Sequence, residues 1–545
     1  MSTSQTKRRS VLGSWFSVNA DGHSSYITSR VHSLVNRSLS RSTPTSPALS
    51  PQPPPSSRST PVAHWLGFAS LPLSEAAPVD ADLIDLIQRK EFYDAKLLSP
   101  PASPSIQPAQ LPSQPLLVDK MRSRNKIKSQ SRDSAILPQV KPNTEKVVQF
   151  VNCDVLRDGK ITRDETLWIQ GGKIVDASTS FFAGIYPDEV VDFGNRKRRP
   201  LIVPGFIDVQ INGYFGYDFA ERDRLEEGLE VVAKGLLKYG VTSFLPTVVT
   251  SLPETYSEGP FIAPTRKGAH NVDYFRTTPN GVQDLIDVYG KYIEPGNEST
   301  SDRHKCGNLV KIVTVAPELD GMLDAIAGLK KRLGDDVIVS IGHTESTYEI
   351  AEQALEAGAS MITHLFNAMH PFYHRDPGPM GVIGLPVLPH NTNKPYFGLI
   401  VDGVHTDPSS VRVAYSSYPE GAILVTDAMA GAGLEGDAFM LGSMQVVRKG
   451  PMEVVIKGTN TLAGSVATMP FCISNMVKFA DCSLADAINA ATVTPAKSLG
   501  LYAHKGSLLP GADADLVILD GFDDNDDSIF EVSRVFVAGE EVFRL

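Results

Sequence analysis

Apolar, strand-like runs alternate with helical stretches through the middle of the chain, and this alternation predicts a parallel α/β sheet. The runs cover residues 201–210, 241–250, 309–319, 336–346, 359–369, 396–407 and 422–429. Most of them end in a polar, chemically capable residue, which is where a (β/α)8 barrel places its active site. We therefore expect an α/β fold built on an eight-stranded TIM-like barrel, one strand of which is not among these runs.

Shorter β-type runs flank that region on both sides. They occur within residues 147–194, with a Gly-Gly hairpin turn, and they return at 514–520 and 533–545. The two ends of the folded part are therefore predicted to pair into one small β-sandwich. The predicted domains are 146–200 as the first part of the sandwich, 201–500 as the catalytic barrel and 501–545 as the second part of the sandwich.

Residues 1–145 have a different composition, rich in Ser, Pro, Arg and Gln, with 17 Lys and Arg against 10 Asp and Glu. Such a segment cannot bury enough apolar surface to offset the entropy of ordering, so we predict a disordered, basic extension. Within it, residues 80–98 have apolar positions at helical spacing and could fold against a protein partner. A transient helix without a partner is the alternative.

The length, composition, net charge and cysteines of the chain limit the class of protein to which it can belong. Its 545 residues are 42% hydrophobic and 21% charged, which is enough to build a large core. The net charge of −11 gives no reason to expect nucleic-acid binding, and no window approaches the ~18 uninterrupted apolar residues of a membrane span. The cysteines, Cys153, Cys306, Cys472 and Cys482, show no paired spacing, which favours a reducing compartment, and we expect the cytoplasm.

Polar side chains stand at the ends of the predicted strands. They are Asp208, Gln210, Asn212, Glu258, His343, His364, His405 and Asp427. Two histidines from neighbouring strands and a carboxylate make a divalent-metal site, which would lower the pKa of a bound water toward ~7. Asp427 could then take a proton from that water. On spacing alone the alternatives stay open, because a single strand-end His is often a satisfied polar residue and a strand-end Asp often caps the next helix.

Several motifs in a fixed order carry a family resemblance. They are PGFIDVQINGYFG (204–216), EGPFIAPTRKGAH (258–270), SIGHTES, THLFNAMHPFYHRDPG (363–378), VDGVHTD, LVTDAM, TLAGSVATM (461–469) and GADADLVIL. Together they resemble the N-acetylglucosamine-6-phosphate deacetylases of the amidohydrolase superfamily, over most of residues 147–545. Many amidohydrolases carry His-X-His at the end of the first strand and bind two metals. This chain has Gln210-Ile211-Asn212 there, so the resemblance implies a single metal ion.

The resemblance also implies a role for each matching residue. The metal ligands would be Glu258, His343 and His364, holding one divalent ion, with zinc expected and other divalent metals compatible. Asp427 would be the catalytic base and acid, and His405 would orient or polarise the acetamide carbonyl of the substrate. The substrate, a small-molecule amino-sugar phosphate, would contact His405 and also Ala269, His270, Asn367, Ala368, Arg375, Leu462, Ala463 and Gly464. The products would be acetate and glucosamine 6-phosphate, and the family also suggests a homodimer.

Two of these substrate-binding assignments have structural alternatives. The guanidinium of Arg375 matches phosphate oxygens, but it could instead form a surface salt bridge with Asp376. Residues 462–464 would line the sugar pocket, but they could equally be a structural glycine turn.

One stretch departs from the family pattern. Between the Thr-Ser at 250–251 and the Gly-Pro-Phe at 259–261, the family has a helix and a strand, whereas this chain has seven residues, LPETYSE. A complete crossover needs at least ~10 to 12 residues beyond the strands, so one helix and one strand are missing. We predict that the chain folds poorly or binds metal weakly, because Glu258 lacks the segment that would place it. A skipped exon or a mis-drawn gene model is our hypothesis for its origin.

Two other functions stay open at this level. One is another amidohydrolase, acting on an amide or an N-acyl amino acid, which would share the barrel and Asp427 but not the phosphate-binding residues. The other is a catalytically impaired splice or gene-model variant, in which the N-terminal extension binds partners and the barrel has lost its activity.

Overall fold

The structure of the chain is a computed structural model, and it describes residues 146–248, 260–290, 293, 310–385, 393–441, 444–522, 526 and 528–545. The predicted N-terminal extension, including residues 80–98, lies outside the described residues. Glu258 and Cys306 lie outside them as well.

The described strands are numbered in chain order. They are β1 (Val147–Arg157), β2 (Lys160–Gln170), β3 (Lys173–Val175), β4 (Glu189–Asp192), β5 (Leu201–Pro204), β6 (Phe206–Ile211), β7 (Gly213–Tyr214), β8 (Tyr217–Asp218), β9 (Val241–Pro246), β10 (Ile312–Val315), β11 (Ile338–Ile341), β12 (Met361–Ile362), β13 (Tyr396–Leu399), β14 (Ala422–Leu424), β15 (Ala438–Leu441), β16 (Met444–Arg448), β17 (Val454–Ile456), β18 (Leu516–Asp520), β19 (Glu531–Val537) and β20 (Glu540–Arg544).

The described α-helices are numbered in the same way. They are α1 (Ala177–Phe182), α2 (Leu225–Leu236), α3 (Val282–Tyr289), α4 (Met322–Leu333), α5 (Tyr348–Ala357), α6 (Gly378–Ile383), α7 (Pro408–Ser417), α8 (Met469–Ala480), α9 (Leu484–Ala490) and α10 (Val493–Ser498). Side-chain caps begin the helices that follow two strands of the site: Thr347 accepts from the amide of Ile350 before α5, and Asp407 accepts from Ser409 before α7. Of the helices described, none has the length and apolar character that crossing a membrane requires.

Strands from both ends of the folded region share one sheet, in the order β20-β19-β18-β5-β1-β2-β3, with β4 also pairing β1. The sequence predicts a sandwich, and the structure instead joins all these strands by hydrogen bonds into a single sheet. Lys173 of β3 at one end of this order also bridges to Asp513, just before β18, and Phe150 of β1 meets Phe536 of β19 edge to face with ring centroids 5.3 Å apart. The β1–β2 pairing shifts register between Phe150 and Cys153, and Asn152 within this irregularity has a positive φ of 58°.

The parallel strands lie in two sheets, β6-β9 and β10-β11-β12-β13-β14. Each of the seven predicted runs contains one of them, and run 201–210 also contains β5 of the curled sheet. The change of sheet occurs at Gly205, where a Cβ would lie 2.1 Å from Oγ1 of Thr242. The strands are almost wholly buried: Val339 and Ile341 of β11 are at most 2% exposed, and each such side chain contributes about 1.5–3 kcal/mol.

The two parallel sheets meet at one edge and are open at the other. The amide of Asp427 donates to the carbonyl of Gln210 (2.9 Å), and the amide of Asn212 donates to Ala428 (2.8 Å), so the end of β6 is joined to the chain after β14. Among the described residues, no strand pairing joins β9 to β10. The described strands therefore form an open series rather than a closed barrel, and it is open where the sequence predicts a missing strand.

Candidate functional site

The predicted catalytic and metal-binding residues that the structure describes lie just beyond the carboxyl ends of the parallel strands. His343 follows β11, His364 follows β12, His405 follows β13 and Asp427 follows β14. His343, His364 and Asp427 have positive φ angles of 48°, 26° and 47°. Non-glycine residues rarely hold this conformation, and it costs about 1–3 kcal/mol at each position, so such residues cluster at functional sites.

His343 and His364 face each other through their Nε2 atoms, which are 3.0 Å apart. Nδ1 of His343 lies 2.8 Å from the carbonyl oxygen of Arg266, which can only accept a hydrogen bond. Nδ1 therefore carries the proton, and Nε2 of His343 presents a bare lone pair to its neighbour. Burial, with the nearby His364, lowers the pKa of His343 to about 3, and burial lowers the pKa of His364 to about 4. Both imidazoles are neutral at pH 7, as metal ligands must be.

The pair fits a divalent metal ion by its chemistry and spacing. Two nitrogens on a tetrahedral zinc ion are roughly 3.4 Å apart, close to the separation seen here. Nδ1 of His364 is buried and has no hydrogen-bond partner among the described residues. Within the described ranges no set of three His, Cys, Asp or Glu side chains is arranged to hold a metal, and the predicted third ligand, Glu258, lies outside those ranges.

The segment that follows Glu258 in sequence is described, and it runs against this pair. Phe261 accepts through its carbonyl from the amide of Ala316, just after β10, and Ala263 donates to the carbonyl of His343 (both 2.8 Å). Phe261, Ile262 and Ala263 are at most 4% exposed. The chain immediately after Glu258 is thus held at the carboxyl ends of β10 and β11.

The loop from 264 to 270 brings two predicted substrate residues beside His343. The ring of His270 lies edge to face against that of His343, with centroids 4.5 Å apart, and Ala269 is half-buried next to it. Gly268 permits the approach, since a Cβ there would lie 3.2 Å from Cε1 of His343. The guanidinium of Arg266 pairs with Glu345, with Nη2 3.0 Å from Oε2, which ties this loop to the chain after β11.

Asp427 is half-buried and is held by two carboxamides. Nδ2 of Asn212 donates to its Oδ1 at 2.8 Å, and Nε2 of Gln210 donates to the same oxygen at 3.1 Å. Burial raises the pKa of Asp427 to about 6, although His405 and the two amide donors oppose the rise. The carboxyl group can therefore change its protonation state near neutral pH, as a general base and acid requires. Oγ1 of Thr247 donates to Oδ1 of Asn212 at 2.6 Å.

His405 is paired with Asp402, a residue that the sequence reasoning missed. Nδ1 of His405 lies 2.7 Å from Oδ2 of Asp402, and Oδ1 of Asp402 accepts from the amides of Val404 (2.9 Å) and His405 (2.8 Å). Burial would lower the pKa of His405, but the hydrogen bond and charge of Asp402, with the charge of Asp427, raise it overall. The signal in the sequence is an Asp three residues before a His, with the turn-forming Gly403 between them.

The remaining predicted substrate residues are not all brought together. The amide of Asn367 donates to the carbonyl of His364 (2.9 Å), and the carbonyl of Ala368 accepts from Thr344 (3.1 Å), so both lie beside the histidine pair. At Gly464, which has a φ of 66°, a Cβ would lie 3.2 Å from the carbonyl oxygen of Asp427, which places the segment Leu462, Ala463 and Gly464 beside the acid.

Arg375 is exposed, and among the described residues it makes no ion pair. No described contact joins it to Asp376, and Oδ1 of Asp376 accepts instead from the amides of Tyr348 (2.9 Å) and Gly378 (3.2 Å). The structural alternative of an Arg375–Asp376 salt bridge therefore has no support, and the guanidinium faces solvent.

Known proteins resemble this chain in sequence and in fold. A profile of the amidohydrolase family matches residues 201–542. The N-acetylglucosamine-6-phosphate deacetylase of Homo sapiens is 39% identical over 425 residues, covering 73% of this chain and 96% of the human protein. The solved structure of the N-acetylglucosamine-6-phosphate deacetylase from Pasteurella multocida has a TM-score of 0.59 and 27% identity, covering 72% of this chain and 99% of its own. A mutant of the Mycobacterium smegmatis deacetylase in complex with N-acetyl-D-glucosamine-6-phosphate has a TM-score of 0.58 and 29% identity, covering 73% of this chain and 99% of its own.

Proposed function

The chain belongs to the amidohydrolase family and, within it, to the N-acetylglucosamine-6-phosphate deacetylases, and from that premise we propose that it hydrolyses the N-acetyl group of N-acetylglucosamine 6-phosphate. The products are glucosamine 6-phosphate and acetate, a step of amino-sugar catabolism. The observation that carries the proposal is the facing pair of neutral imidazoles, His343 and His364, together with the half-buried carboxyl group of Asp427, which follows another strand of the same sheet.

Each residue of the site has a proposed part in the reaction. A divalent metal ion, with zinc as our proposal, would be held by His343, His364 and Glu258, and it would supply a water of lowered pKa. Asp427 accepts a proton from the attacking water and then delivers it to the amine nitrogen as the C–N bond breaks. His405, whose Nδ1–H is bound by Asp402, turns Nε2–H toward the acetamide oxygen, where negative charge develops.

The phosphate and the sugar are proposed to meet the surrounding loops. Arg375 supplies a solvent-facing guanidinium that makes no ion pair among the described residues, and such a group matches phosphate oxygens in a bidentate geometry. His270, Ala269, Asn367 and Ala368 line the side of the histidine pair, and residues 462–464 line the side of Asp427. A homodimer and a protein partner for residues 80–98 stay predictions from the sequence.

We further propose that the parallel strands belong to an eight-stranded barrel that lacks its third strand and the preceding helix. The open edge between β9 and β10 among the described strands supports this. Glu258 would follow the missing strand directly, so we expect weak metal affinity in this chain.

The first experiment measures metal content and acetate release from N-acetylglucosamine 6-phosphate on the same purified protein. Release that depends on added zinc is the expected result, and a zinc-loaded chain that releases no acetate would refute the proposed function. The Arg375→Ala variant then tests the substrate. Loss of a charged hydrogen-bonding group should raise KM for the phosphorylated sugar by about 10- to 100-fold and leave KM for unphosphorylated N-acetylglucosamine unchanged.

A further inference from the structure

The carboxylate of Asp427 is held on one oxygen only. Both amide donors, Asn212 and Gln210, bind Oδ1, and among the described residues no donor binds Oδ2. The two oxygens of this half-buried group are therefore in different surroundings. A carboxylate that receives two hydrogen bonds on one oxygen has its most basic lone pairs on the other oxygen.

A third residue binds the acceptor end of one of the donors. An asparagine side chain has a donor end and an acceptor end, and only the donor end can stabilise an ionised carboxylate. Nδ2 of Asn212 donates to Asp427, and Oδ1 of Asn212 accepts from the hydroxyl of Thr247 at 2.6 Å, so both ends of the amide are held. The amide of Thr247 donates to the carbonyl of Ile211 (2.8 Å), so Thr247 is itself held at the end of β9, against the end of β6.

We propose that Gln210, Asn212 and Thr247 are positioning residues for Asp427, anchoring Oδ1 so that Oδ2 is the oxygen that carries the proton. In the first step the O–H bond of the attacking water breaks, its oxygen bonds to the acetamide carbon as the second C=O pair moves to the carbonyl oxygen, and the proton forms an O–H bond with Oδ2. In the second step the C=O bond re-forms and the electron pair of the C–N bond moves to the leaving nitrogen. The O–H bond at Oδ2 breaks, and its proton forms an N–H bond at that nitrogen. The kinetic part of this proposal rests on the proposed function.

In the described part of the chain, three other titratable groups face Asp427, and none of the test variants changes them. They are His405 and Asp402 from the chain after β13, and Asp208 from β6. Asp208 has its own partner, because Oγ1 of Thr426 donates to its Oδ2 at 2.5 Å. Variants at positions 212 and 247 therefore change the hydrogen bonds to Asp427 without removing a charge.

The test uses Asn212→Leu, Thr247→Val, the double variant and the control Thr247→Ser, all in the full, zinc-loaded chain. We measure kcat, KM and zinc content, and we titrate the Asp427 carboxyl group by difference infrared spectroscopy, with its band assigned by its loss in Asp427→Asn. Asn212→Leu should lower kcat by about 10- to 100-fold at unchanged KM and zinc content, and it should raise the pKa of Asp427 by about one unit. Thr247→Val should shift kcat and pKa in the same directions by a smaller amount, and Thr247→Ser should match the parent.

The double variant separates positioning from a merely structural role. Since Thr247 acts through Asn212, the double variant should be no worse than Asn212→Leu alone. Additive losses, an unshifted carboxyl band or a loss expressed in KM or zinc content would overturn the proposal. If Asn212→Leu does not fold, the comparison of kcat and of the pKa of Asp427 between Thr247→Val and Thr247→Ser tests the proposal. If the parent chain releases no acetate, the proposed function fails and the infrared titration alone decides the positioning role.

Discussion

The two sides of the site differ in how completely the chain holds them. On the proton-transfer side, Asp427 is bound by Gln210 and Asn212, and His405 is bound by Asp402, all through described contacts. On the metal side, two histidines face each other, the predicted third ligand lies outside the described residues, and the strands are open between β9 and β10. We therefore expect metal binding and proton transfer to be separable in this chain, because the direct contacts to Asp427 come from Gln210 and Asn212 at the end of β6, which does not border the opening.

The largest expected effect is on the proton-transfer side. Replacing Asp427 with Asn keeps the shape of the side chain and removes its ability to accept a proton. We expect kcat to fall by about 10²- to 10⁴-fold, measured as acetate release, with zinc content unchanged. A fall in zinc content to the same degree would show that Asp427 also contributes to zinc binding, and it would contradict the separation of the two sides.

The second prediction concerns the opening between β9 and β10. Replacing residues 252–257 with the corresponding helix and strand of the human relative should raise zinc affinity by at least ~10²-fold, because Glu258 would gain a rigid support. Competition titration with a chelator measures it. An insertion of the same length made of Gly and Ser serves as the matched control, and an equal gain from that control would contradict the prediction.

A smaller effect is expected at Asp402, which touches no substrate. Asp402→Asn keeps an acceptor for Nδ1–H of His405 but removes the negative charge that raises the pKa of this histidine. The basic limb of the kcat profile should move to lower pH, and kcat at its optimum should fall by about 10-fold. An unmoved basic limb would mean that His405 does not act in its protonated form.

The dependence of kcat on pH in the parent chain tests the roles of Asp427 and His405 on the proton-transfer side. Asp427 must be ionised to accept a proton, and its pKa is raised to about 6, so kcat should rise as pH increases through about 6. His405 must keep its Nε2 proton, and its pKa is raised above the usual 6.5, so kcat should fall again at higher pH. A profile that is flat from pH 5 to pH 9 would contradict both assignments.

The smallest effect is on stability. The pKa of Asp427 is higher in the folded chain than its ordinary 3.8, so its contribution to stability is full below pH 3.8 and is lost as pH rises through about 6. Asp427→Asn should therefore stabilise the zinc-free chain by roughly 1–3 kcal/mol at pH 7, and the gain should vanish near pH 4. Urea unfolding at the two pH values measures the difference, and an equal gain at both would rule out ionisation as its cause.

The sequence predicts the seven parallel strands and the residues at their ends, because buried parallel strands are apolar runs and the polar residues that end them are conspicuous. The sequence does not predict the hydrogen-bond partners of these site residues. Asn212 and Asp427 are 215 residues apart, and Thr247 meets Asn212 only because β9 pairs with β6. It also predicts a sandwich of two sheets where the structure has one hydrogen-bonded sheet, because the alternation of apolar residues does not say which strands pair.

The protonation state of His343 is selected by a main-chain atom, the carbonyl oxygen of Arg266. Every amino acid supplies that oxygen, so a substitution at position 266 removes the guanidinium that pairs with Glu345 but keeps the acceptor for Nδ1 of His343. Only a change in the backbone itself, such as an ester in place of the amide between residues 266 and 267, would weaken the acceptor. Side-chain substitutions therefore cannot test this contact.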